Sequence, residues 1–128
     1  MAVEEALLVV PARSDLLSLL RAVVADLAAR QGFSYDAIDD LRIAVSEAAT
    51  FLLGAGSPAS RLELRISPTS GGLEVDLSTD ATAGAWPPSG ADRSLAWQVL
   101  SALTDEAALV GDGGTPGLHL VKRSSPAG

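Results

Sequence analysis

The stretch FSYDAIDDLRIAVSEAATF, residues 33–51, carries the densest pattern in this chain. Ser34 is a plausible N-cap and Asp36 sits in the first turn, where an acid favours the positive end of a helix. At 100° per residue, Ile38, Leu41, Val45, Ala48 and Leu52 fall on one side. Asp40, Glu47 and Phe51 gather on roughly the opposite side, with Ile43 beside them. Gly54 and Gly56 end the helix, and Pro58 follows. A solvated face would not be expected to hold Phe51 and Ile43. The helix is therefore either sandwiched in the core or has one side on a sheet and the other lining a pocket or partner surface.

Upstream, Ala6 to Val10 is a short apolar run stopped by Pro11 and predicts a first strand. Ser14 is placed to cap a helix in which Leu16, Leu20, Val23 and Leu27 recur, closed by Gln31-Gly32. Downstream the period changes to two. Arg61 to Ile66 and Leu73 to Leu77 alternate strictly, and the Pro/Ser/Gly-rich Ser67 to Gly72 joins them as an antiparallel hairpin. Thr79 to Arg93 is a long Gly/Pro/Ala segment of the kind that is functional or mobile. Leu95, Val99, Ala102 and Leu103 predict a third helix. Ala107 to Val110 and Leu118 to Val121 predict two closing strands across a Gly111 to Pro116 turn. The order β-α-α-β-β-loop-α-β-β predicts an α+β two-layer sandwich, a mainly antiparallel sheet with helices on one face. One domain over 1–123 and a flexible tail at 124–128 complete the expectation.

Composition narrows the function. With 128 residues, 48% apolar and 20% charged, the chain can bury one core. Aromatics are only 4%, so Leu, Val, Ile and Ala must build it. The net charge of −7 argues against direct nucleic-acid binding or an anionic membrane, and suits a basic protein partner. There is no cysteine and one histidine, His119, which excludes disulfides, thiolate zinc and multi-histidine metal sites. No apolar run approaches the roughly 20 residues of a membrane span, and the start does not read as a signal peptide. The expected location is the cytoplasm.

The stretch 33–48 resembles the N-box helix of the RsbW-type anti-sigma factors, small serine kinases of the histidine-kinase-like (GHKL) ATPase superfamily. The element order extends the resemblance over roughly Glu4 to Arg123. It implies a Bergerat-type GHKL fold and a homodimer that binds a sigma factor of the stress or sporulation type. Release would come from an anti-anti-sigma antagonist of the STAS fold. In that family the helix presents Glu-x-x-x-Asn, a general base followed by a ligand of Mg²⁺. Glu47 stands at the Glu position, but Phe51 occupies the Asn position. A phenyl ring has no oxygen for a hard cation, so no metal site is expected.

The family's Asp-x-Gly-x-Gly box corresponds to Asp80-Ala81-Thr82-Ala83-Gly84, which keeps Asp80 and Gly84 as carried-over adenine contacts but has Thr82 at the central glycine. The Gly-rich lid corresponds to Gly90-Ala91-Asp92-Arg93-Ser94-Leu95, with Ser94 at the second glycine and Asp92 where phosphates would sit. Gly114-Thr115 retains the family's last nucleotide contact. These departures touch metal, adenine and phosphate at once, and each unmet polar partner costs free energy. The expectation is a degenerate kinase fold, a pseudokinase without an ATP cofactor, that sequesters its partner. Two alternatives stand beside it: an active serine-protein kinase using Glu47, and a small-ligand sensor with an apolar pocket of Phe51, Ile43 and Trp86. Trp97 is expected in core or interface packing, and Trp86 equally in packing or in a partner contact. His119 is expected to be a structural or surface residue, and Asp39-Asp40 a solvated face.

Overall fold

The alternation in residues 61–77 becomes the centre of a five-stranded sheet. A computed structural model describes residues 4–54, 59–81, 86–111 and 116–123. Its strands are β1 (Ala6–Pro11), β2 (Arg61–Thr69), β3 (Gly72–Thr79), β4 (Glu106–Val110) and β5 (Gly117–Arg123). Its helices are α1 (Leu17–Arg30), α2 (Tyr35–Leu53) and α3 (Leu95–Leu103). The sheet order is β1-β2-β3-β5-β4 and every pairing is antiparallel. The α+β sandwich, with helices on one face, is as the sequence predicts.

Register explains the two faces. Leu62, Leu64 and Ile66 of β2, Leu73, Val75 and Leu77 of β3, and Leu118 and Leu120 of β5 are all buried under the helices. The alternate residues Glu63, Arg65, Asp76, Ser78 and His119 occupy the other face. Because the side-chain period is two, a slip of one residue would exchange these sets, so hydrophobic burial specifies the register. On the open face, Glu5 accepts from Arg65 at 2.6 Å and from Ser67 at 3.0 Å. His119 Nδ1 lies 2.7 Å from Asp76.

The hairpin is tighter than its composition predicts. β2 runs on through Pro68 to Thr69, leaving only Ser70 and Gly71 to turn. Pairing with β1 ends at Ile66, so β2 is an edge where Pro68 lies, and proline is tolerated there. Gly71 adopts φ +79°. A Cβ on Gly72 would lie 2.4 Å from the Lys122 carbonyl oxygen, so close strand approach requires glycine there.

The helices share one core with the sheet. In α2, Ala37, Leu41, Ala44, Val45, Ala48, Ala49 and Leu52 are buried. The alanines widen the buried arc beyond the predicted stripe, and Ile38 is only half-buried. Ser34 caps α2 as predicted, accepting from the Ala37 amide at 3.2 Å. Ser14 does not cap α1: it opens a single tight turn, and neither that turn nor α1 has a side-chain cap. The α1 stripe is also shifted, since Leu20, Val24 and Ala28 are buried while Val23 and Leu27 are half-buried. In α3 only Leu100 is fully buried. Leu95 is 76% exposed and Ala102 is exposed, because so short a helix has one contact line. The segment 124–128, read as a tail, lies outside the described residues.

Candidate functional site

The second side of α2 is built by Asp40, Glu47 and Phe51, all half-buried. They lie at the margin of the alanine-rich arc, where small side chains let neighbouring elements approach. Glu47 is the residue for which the resemblance implies a general base. Among the described residues its carboxylate has no hydrogen-bond or ion-pair partner. One turn later, Phe51 meets Trp86, with ring centroids 5.8 Å apart and planes at 71°. This edge-to-face arrangement sets the positive ring edge against the negative ring face.

Trp86 is held at a second point. Its indole N–H donates to the carbonyl oxygen of Val110, the last residue of β4, at 2.6 Å. Both rings pack against the core. Trp86 therefore makes an internal contact, because the end of β4 supplies an acceptor that no local pattern reveals. The apolar pocket expected between α2 and the Thr79 to Arg93 segment includes residues 82–85, which lie outside the described residues. Phe51 and Trp86 touch each other, and Ile43 is 48% exposed on the outer face of the helix.

Asp80 follows the end of β3. One carboxylate oxygen accepts from the Ser60 amide at 2.8 Å and the Arg61 amide at 3.1 Å; the other accepts from the Ser60 hydroxyl. These donors, the hydroxyl foremost and then the amides, hold its carboxyl down from 3.8 to about 2. Asp80 thus fastens the exit of β3 to the entrance of β2. A polar cavity of about 390 Å³ beside it is lined by Arg61, Glu63, Ser78, Thr79 and Asp80.

The lid region is ordered by short-range bonds. Gly90 adopts φ +77° and starts a tight turn at Ala91–Arg93. Ser94 is the N-cap of α3, accepting from the Trp97 amide at 3.1 Å. Its backbone is extended at φ −73°, so this position needs no glycine. Trp97 is half-buried against the core, as predicted. Thr82, Gly84, Gly114 and Thr115 lie outside the described residues.

The sequence also missed Asp40. It is not simply solvated: Lys122 Nζ donates to it at 3.2 Å, with the lysine side chain 15% exposed. The alternation Leu118, Leu120, Lys122 was the available signal, since it puts a cation on the helix-covered face of β5. Asp39 pairs with Arg42 on the surface, as a solvated acid does. Asp40 and Lys122, with Ser34, Asp36, Ala37, Asp105 and Arg123, line a cavity of about 230 Å³. Among the described residues no group of three or more His, Asp or Glu side chains could hold a metal ion, and no helix is long and apolar enough to cross a membrane.

A helix with Glu47 on its second side, covering an antiparallel sheet in an α+β sandwich, is the frame of a GHKL-type ATPase fold. The chain belongs to the histidine kinase-like ATPase domain family, whose model matches residues 10–124. It is similar to the anti-sigma-F factor RsbW of Mycobacterium tuberculosis, 33% identical over 107 residues, covering 84% of this chain and 62% of that one. It is also similar to the serine-protein kinase RsbW of Listeria monocytogenes, 55% identical over 40 residues, or 31% of this chain and 26% of that protein. The RsbW kinase of Bacillus thuringiensis shares 44% over 41 residues, 32% of this chain and 26% of its own length. The matches span less than two thirds of these relatives' lengths. The expected likeness to RsbW-type proteins is thus found.

Proposed function

We propose that this chain is an anti-sigma factor acting by sequestration, as a homodimer that binds a stress or sporulation-type sigma factor without phosphorylating a substrate. A STAS-type anti-anti-sigma protein would release the sigma factor. The observation that carries this reading is Phe51. It stands at the position of the family's metal-binding Asn, and its ring packs on Trp86 instead of presenting an oxygen. A phenyl ring does not suit a position that should ligate Mg²⁺, and no step is assigned through Mg-ATP. The similarity to a protein named anti-sigma-F factor supports the partner class, and the charge of −7 favours association with a basic surface.

Capture of sigma factors from the source cell's extract tests the reading, with nucleotide removed by apyrase. Retention of a stress-type sigma factor is expected. Failure to retain any, or transfer of labelled γ-phosphate to a cognate STAS protein, overturns it. Mg-ATP binding by Phe51→Asn but not by the parent chain would locate the lesion at this position.

Glu47 favours a second reading, an active serine-protein kinase. Its half-buried carboxylate is without a partner among the described residues and stands at the general-base position, and two relatives carry the kinase name. A rise in melting temperature with millimolar Mg-ATP would move the assignment toward it. No rise would remove that support.

A further inference from the structure

The segment from Trp86 to Ser94 is tied internally by bonds of very short reach. Ala91 donates to the Pro88 carbonyl at 3.1 Å, Arg93 to Gly90 at 3.0 Å and Ser94 to Ala91 at 3.1 Å. Such turns shape the segment. At its C-terminal end Ser94 joins it to α3, which packs on α2. At its other end Trp86 is the anchor: its ring meets Phe51 of α2 edge to face, and its indole N–H reaches the Val110 carbonyl at the end of β4. Phe51, Trp86 and Val110 join three elements distant in sequence: the C-terminal half of α2, the lid segment and an edge strand. Ala91 of the same segment is buried, at 6% exposed.

We propose that Trp86 is a built-in latch, which holds the 86–94 segment against α2 and β4. The Phe51–Trp86 contact supplies apolar surface, and the indole hydrogen bond to Val110 fixes the orientation of the ring. The test of the latch is independent of partner capture. A chain that captures no sigma factor could still be latched.

Amide hydrogen exchange of the full chain reads the latch directly, because it reports local opening. In Trp86→Ala the amides of Ala91, Arg93 and Ser94 should exchange at least about tenfold faster, while those of Val75 and Leu77 keep their protection. Phe51→Ala should shift the same lid amides in the same direction. Trp86→Phe keeps a ring but loses the N–H, so its lid rates should fall between parent and alanine variant. Parent-like lid rates in a folded Trp86→Ala overturn the proposal. If Trp86→Ala does not fold, Trp86→Phe decides: parent-like lid rates in it overturn the latch, and faster rates support it.

Discussion

Helix α2 is fastened differently at its two ends. Near its start, Asp40 forms an ion pair with Lys122 of β5 at 3.2 Å. Near its end, Leu52 is fully buried and Phe51 meets Trp86 edge to face. The first fastening is polar and half-exposed, with 39% of the Asp40 side chain open to water. The second is apolar and reaches the lid segment. A partly exposed ion pair is screened and contributes little, whereas apolar burial scales with the area removed from water. Of these two fastenings, the apolar one at the C-terminal end should therefore contribute more than the ion pair.

Leu52→Ala should show the largest effect, about 3 kcal/mol of lost stability in denaturant unfolding, from lost transfer energy and the cavity left behind. Phe51→Ala should cost about 2 kcal/mol, less than for a fully buried phenylalanine because its ring is only half-buried. Lys122→Met keeps most of the stem and removes the charge, and should cost about 1 kcal/mol or less. An ion-pair variant that destabilised more than Phe51→Ala would reverse the comparison of the two ends.

Asp80 gives the smallest and most pH-bound effect. Its carboxyl is lowered from 3.8 to about 2 in the folded chain. The unfolded chain therefore binds the proton first as pH falls. The resulting stabilisation is fully present above pH 4 or so and is lost as pH drops through about 2. Asp80→Ala should be less stable than the parent at pH 7, and the gap should narrow between pH 4 and pH 2. A gap independent of pH would show that the Ser60 and Arg61 bonds do not respond to ionisation.

Much of this was readable beforehand. The strict alternation of Arg61 to Ile66 specified which strand face would be buried, and Ser34 ahead of an apolar stripe specified where α2 begins. Element order, with Glu47 in its helix context, pointed to the family that the comparison finds over residues 10–124. Ser14 misled because a capping residue type is not a capping geometry: the chain makes a tight turn there first. Leu95 misled because helical periodicity names a stripe but not how much of it meets a neighbour. Pro68 and Gly72 read locally as turn residues, yet both lie in strands, because the pairing with β1 stops short of Pro68 and β5 approaches closely enough to require Gly72.

By itself the sequence determined the antiparallel α+β frame, the capped second helix and the presence of phenylalanine where the resembled family has asparagine. These follow from local periodicity, capping chemistry and residue identity, which are properties of short windows of chain. Only the tertiary structure decided what Phe51, Asp80, Asp40 and Trp86 do. Their partners, Trp86, Ser60, Lys122 and Val110, lie between 20 and 82 residues away for the three hydrogen-bonded pairs, and Phe51 reaches across to the lid. A side chain's hydrogen bonds and contacts are settled by which distant groups the folded backbone brings within a few ångströms, and no local pattern encodes that distance.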